Sequence, residues 1–211
     1  MLRMRQVIDI SPPITESLAV WPGDTPPRRE VLLDLTKGDT ITLSTLHATV
    51  HLGAHADGAN HFGLDVPGIE ARPLEDFLGP CQVARVQVPR RGRIRPEDLA
   101  VPIIEPRVLL ATGTFADPNA FREDFAALAP ELVDHLHGLG VRTIGIDTPS
   151  VDLFDSKDLP AHRRFLAHGM AILEGLVLAH VPEGRYELIA LPLPLVGFDA
   201  SPVRAILRTL E

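Results

Sequence analysis

The sequence is poor in residues that staple a chain, carry redox chemistry or bind polyanions. Its 211 residues include a single cysteine, Cys81, which has no partner for an internal disulfide. No CxxC pair exists for redox or zinc chemistry. Basic residues are outnumbered, 20 Lys and Arg against 28 Asp and Glu, for a formal net charge of −8. That balance excludes the basic face a nucleic-acid partner requires. Long apolar runs are lacking too. The longest stretch, Met170 to Val181, is interrupted by Glu174 and His180 and is too short to span a bilayer. The opening Met1-Leu2-Arg3-Met4-Arg5 leads into Pro12-Pro13 without an apolar h-region, so no signal peptide is expected. A cytoplasmic protein with no membrane partner is the economical expectation. Several catalytic motifs are also missing: HExxH, the GxSxG elbow, GxGxxG and the GxxxxGK loop. Without the elbow, a serine-hydrolase route to amide cleavage has no footing.

What is present fits an ordinary globular chain. Hydrophobic residues make up 45% and charged residues 23%, and the length suits one domain over residues 1–211. Short strands are expected at Val7–Ile10, Glu30–Leu35, Ile41–His47, Cys81–Val88 and Arg107–Thr112, from aliphatic content and period-two alternation. A helix is expected at Pro130–Leu139, where Leu132, Val133 and Leu136 share a face and Gly138 and Gly140 can close it. Val141–Asp147 reads as a buried strand, so helix and strand alternate as in an α/β fold. A second helix is expected at Leu159–Gly169, then the apolar run Met170–Leu178 and a late strand at Tyr186–Leu195. Ser201-Pro202 reads as the start of a short C-terminal helix, with Asp199 and Ser201 as structural caps.

The nine histidines are unevenly placed. His47, His51, His55 and His61 crowd one short segment, with Asp57 among them, and imidazole with carboxylate suits zinc, manganese and similar ions. Fully extended, His51 and His55 would stand roughly 13 Å apart, too far to share an ion. The run must therefore turn or coil. Gly53, Ala54, Ala56, Gly58 and Ala59 are small enough to let ligands crowd a centre, and in one helical turn His51 and His55 would share a face. A single histidine is more often a loop or core residue bonded to a carbonyl. Three with an aspartate, separated by small residues, favour the metal.

The segment His51-x3-His55-x-Asp57-x3-His61 resembles the HxGTHxDxPxH signature of the metal-dependent cyclase family, and most closely its bacterial kynurenine formamidase branch. Three further stretches agree: Asp9-Ile10-Ser11-Pro12-Pro13 with Trp21-Pro22-Gly23-Asp24, the segment Met170–Leu178, and the tail from Tyr186 through Asp199-Ala200-Ser201-Pro202. Gly58-Ala59 stands where the family usually has Ala-Pro, and Pro194 where that branch has lysine. The resemblance implies a single α/β domain with a mixed β-sheet and few helices, in a swivelling β/β/α arrangement, and a homodimer. It also implies two zinc ions per subunit, manganese or another divalent ion being the alternative. His51, His55 and Asp57 would bind the first, and Asp57, His162 and Glu174 the second. His61 would be the general acid/base, and Trp21 would line the substrate pocket. Taken alone, His162 reads as a helix-surface histidine and Trp21 equally well as a packing residue. Glu174 is a costly carboxylate in an apolar run, explained by a metal or by an arginine partner. The implied reaction is hydrolysis of N-formyl-L-kynurenine to L-kynurenine and formate. Hydrolysis of another small amide or lactam such as isatin, and metal binding without catalysis, are the alternatives.

Overall fold

The computed structural model describes residues 5–210. Residues 1–4, which hold most of the opening read above, and residue 211 lie outside them. The elements in chain order are β1 (Val7–Asp9), β2 (Arg28–Leu33), β3 (Leu43–His47), β4 (His55–Asp57), β5 (Leu78–Arg85), β6 (Arg93–Ile94), β7 (Arg107–Ala111) and β8 (Ala127–Leu128). The chain continues with α1 (Pro130–Gly138), β9 (Thr143–Ile146), α2 (Pro160–His168), β10 (Ala171–Glu174), β11 (Gly184–Ile189), β12 (Ala200–Pro202) and β13 (Ile206–Thr209). Nine strands make one sheet, ordered β1-β13-β11-β5-β7-β9-β10-β4-β12. Its centre, β5-β7-β9-β10, is parallel, and the remaining neighbours pair antiparallel. Parallel neighbours need a crossover, and α1 and α2 lie in the connections on either side of β9.

Alternating side chains of these strands feed two cores. Val108, Leu110, Ile144 and Ile146 pack with Leu132, Val133 and Leu136 of α1 and with Ala161 and Phe165 of α2. Val83, Leu109 and Leu173 pack instead with Ala56 of β4, Leu188 of β11 and Leu207 of β13. This second cluster gathers residues from near both ends of the sheet, so the sheet curls around it. The result is the expected α/β domain, with a mixed sheet and only two helices among the described residues.

Both helices start on proline at the first helical position. The amides at the start of α2 are satisfied from outside the helix, since Ala161 and His162 both donate to the Asp152 carboxylate. Ala161, His162 and Phe165 form the buried stripe of α2, so His162 faces inward and is not a surface histidine. The tail departs from expectation. Ser201-Pro202 belongs to β12, which pairs with β4, and no helix starts there. Proline is tolerated because β12 lies at the sheet edge. Ser201 is no cap either: its hydroxyl accepts from Leu193 N at 2.8 Å and donates to Pro202 O.

Candidate metal centre

Two neighbouring strands and one helix bring the histidine-rich segment to a point. His55 and Asp57 lie on β4, and Glu174 at the end of β10 pairs in register with His55. His162 reaches in from α2, His61 ends a 3-10 turn over Ala59–His61, and His51 precedes β4. The run between His51 and His55 is not helical. It turns at Gly53, whose φ is +57°, and then enters the strand. Gly175, with φ +66°, lets that turn lie against β10: a Cβ there would come 2.1 Å from Gly53 O. Of the crowded histidines only His47 stands apart, paired with Glu30 on the β2–β3 hairpin at 2.6 Å.

Three imidazoles share one arrangement. His55 Nδ1 donates to Gly53 O at 2.8 Å, His162 Nδ1 to Asp152 Oδ2 at 2.9 Å, and His51 Nε2 to Asp199 Oδ2 at 3.0 Å. Each ring is thereby held by its outer nitrogen and turns the other inward, bare of a proton once the ring is neutral. The inward nitrogens face carboxylates. His51 Nδ1 lies 3.4 Å and His55 Nε2 3.6 Å from Asp57 Oδ1, and His162 Nε2 lies 3.6 Å from Asp57 Oδ2. Glu174 stands 3.3 Å from His55 and 3.7 Å from His162. Its Oε1 also accepts from Val151 N, and these imidazole partners replace the arginine that was the alternative.

These separations are long for hydrogen bonds but match an ion between the atoms. Ligands about 2.0–2.1 Å from a tetrahedral zinc lie about 3.3 Å from one another. His55 Nε2 and both Asp57 oxygens are buried with no hydrogen-bond partner, a costly state for a carboxylate. The donor set therefore fits divalent metal. His51, His55 and Asp57 can share an ion, as can Asp57, His61 and His162, and His51, His61 and Asp199.

The electrostatics follow from this crowding. Burial disfavours the charged form of His51, but the carboxylates of Asp57 and Asp199 outweigh it and raise its pKa to about 9. At His162 burial is likewise outweighed, here by Asp152 and Asp57, and the value rises to about 10. Asp57, despite burial, is held well below the usual carboxylate range by His162 and His51. His61 goes the other way: burial lowers its pKa and keeps the ring neutral at pH 7.

His51, His55, His61, His162 and Glu174 line a cavity of about 530 Å³. Trp21, Phe115, Phe121 and Leu178 are among its walls, and Asp24 stands beside Trp21. Trp21 both lines the cavity and packs, its ring centroid lying 4.9 Å from Phe154 and 5.6 Å from Phe121. No lysine or arginine lines the cavity among the described residues. Two groups escaped the sequence reading. Asp152 carried no motif, and Asp199 was read as a cap, although the inward turn of His162 and His51 depends on them. Their signal would have been a carboxylate able to back each imidazole, which spacing alone does not show. The departure at Gly58 has a physical counterpart, because a Cβ there would come 2.8 Å from Ile69 N and 3.1 Å from Asp199 O. Pro194 is exposed and outside the cavity.

A curled mixed sheet with a buried histidine–carboxylate cluster under an aromatic cavity is the architecture of a metal-dependent hydrolase. The chain belongs to the cyclase family, whose model matches residues 8–153. It is similar over 99% of its length to all of a potential metal-dependent hydrolase with cyclase activity, at 31% identity and a TM-score of 0.84. It is 30% identical to a predicted metal-dependent hydrolase from Bacillus stearothermophilus, covering 97% of this chain and 98% of that one, with a TM-score of 0.81. Isatin hydrolase A from Labrenzia aggregata shares the fold at 22% identity and a TM-score of 0.83, over 98% of this chain and 94% of that one.

Proposed function

We propose that the protein is an arylformamidase that hydrolyses N-formyl-L-kynurenine to L-kynurenine and formate, using two zinc ions. The observation that carries this reading is the convergence of three anchored imidazoles on the buried, unpartnered oxygens of Asp57, with Glu174 facing two of the same rings and an aromatic cavity lined by His51, His55, His162 and Glu174. His51, His55 and Asp57 would hold one ion, and Asp57, His162 and Glu174 the other; manganese suits the same donors. Such a pair, when bound, supplies a nucleophilic water at neutral pH and polarises the scissile carbonyl. The chain's own residues do the rest. Trp21 and Phe121 offer ring faces and edges to the aryl group, and Asp24 offers a countercharge to the substrate ammonium. His61, kept neutral by burial, takes a proton from the attacking water and returns it to the departing aryl amine. The homodimer is part of the same reading. Leu32, Leu35, Ile41, Leu43 and Leu46 in and beside the β2–β3 hairpin are exposed and are the apolar surface a second copy would cover.

One observation favours a second substrate. Among the described residues no lysine or arginine lines the cavity to pair with the α-carboxylate of an amino-acid substrate, whereas neutral isatin needs no such partner. The test is ultraviolet detection of kynurenine release from N-formylkynurenine beside isatin opening, with zinc-loaded protein. The formamidase reading expects the larger kcat/KM for formylkynurenine. Faster isatin opening would replace it with the lactamase reading, and zinc uptake without turnover of either would remove both substrates.

A further inference from the structure

Asp199 faces both His51, a candidate ligand, and His61, the candidate acid/base. Its Oδ2 lies 3.0 Å from His51 Nε2 and 3.6 Å from His61 Nδ1, and the two rings lie 4.3 Å apart at their centroids. Its backbone is fixed independently of its side chain. Asp199 O accepts from Gly58 N at 2.7 Å, and the next residue, Ala200, pairs with Asp57 across β12 and β4. That seat is close: the missing Cβ of Gly58 is what leaves room for Asp199 O.

We propose that Asp199 is a positioning residue that sets His51 and His61 together. By accepting the Nε2 proton of His51 it leaves Nδ1 as the nitrogen turned toward Asp57, the orientation an ion needs. Its charge also stands 3.6 Å from Nδ1 of His61, beyond hydrogen-bond length, and favours the tautomer with the proton on that nitrogen, which leaves Nε2 free to accept one. A single oxygen thus couples the ligand geometry to the proton-transfer geometry, from the residue just before the edge strand β12 and distant in sequence from both histidines. The inference rests on the roles proposed above for these two residues.

The test uses Asp199→Ala and Asp199→Asn in the full chain. Zinc affinity is read first, by competition with a chromophoric chelator and without substrate. Asp199→Ala should bind zinc about 10–100-fold more weakly, the usual cost of removing such a partner, yet reach the same number of ions per chain at saturation. Asp199→Asn should recover most of that affinity, because its amide oxygen still accepts from His51. Under saturating zinc, kcat should fall in the alanine variant while KM holds. Long-range ¹H–¹⁵N spectra of the histidine rings should show His51 and His61 losing their single tautomers in the same variant. Fewer ions at saturation would make Asp199 a ligand and overturn the proposal. Unchanged zinc affinity and tautomers, with only a lower Tm, would make it structural and overturn it equally. If the wild-type chain turns over neither substrate, the affinity and tautomer measurements still decide the role of Asp199, and the functional reading fails by itself.

Discussion

His61 stands apart from the three inward-facing imidazoles in its surroundings. Its side chain is 36% exposed, against 18% for His51 and 4% or less for His55 and His162. Its pKa is lowered where those of His51 and His162 are raised, so it stays neutral and able to move a proton near pH 7. A group in that role contributes roughly 10²–10⁴-fold to rate. His61→Ala should therefore lower kcat by roughly that factor and leave zinc content per chain unchanged, both measured on one sample. Loss of zinc in proportion to activity would make His61 a ligand, which its position within reach of Asp57 and His162 allows. Full activity with full zinc would hand the amine's proton to solvent.

The relation between β4 and β10 depends on a glycine. Gly175 follows Glu174 directly, adopts φ +66°, and leaves no room for a Cβ against the Gly53 carbonyl. Gly175→Ala combines an unfavourable left-handed backbone with a backbone clash, so it should cost more than about 1 kcal/mol. Zinc affinity should fall with it, because the displaced turn is the one that carries His51 and His55. A Tm and zinc affinity equal to wild type would show that the turn relaxes freely. The sequence made some of these elements plain and hid others. α1 was legible from its apolar face and closing glycines, and β5, β7 and β9 from alternating or continuous aliphatic runs. β4 was not, because three residues are too few for a period, and its pairing comes from distant β10 and β12. Ser201-Pro202 carries the local chemistry of a helix start, and pairing with β4 overrides it, as tertiary context does with weak propensities. His51, His55 and Asp57 were legible as a cluster among small residues, whereas His162 and Glu174 came only with the family resemblance. Asp199 and Asp152 were not legible, because what they do is face an imidazole across the fold.

For the whole molecule, the charge cluster ties stability to pH, with a sign that depends on the ion. His51 and His162 have pKa values of about 9 and about 10 in the folded chain, against 6.5 as the ordinary histidine value. A folded value above the unfolded one means that folding takes up protons. The resulting stability is present in full below about pH 6.5 and is lost as pH rises through about 9–10. Chelator-stripped protein should therefore show a Tm that falls across this interval. Bound zinc replaces those protons as partner to Asp57 and Glu174, so the loaded protein should not follow that fall, and the gap between the two should widen with pH. Near pH 7 zinc must displace about two protons, one from each histidine, because imidazole binds metal only when neutral. Thermal melts of stripped and loaded protein from pH 6 to 10, with calorimetric titration of zinc in buffers of different ionisation enthalpy, measure both quantities. A stripped Tm that rises through this window, or zinc binding that releases no protons, would mean that the two imidazoles are already neutral in the folded chain. The carboxylates would then hold the site together without counter-ions from the histidines, against the burial of Asp57 and Glu174.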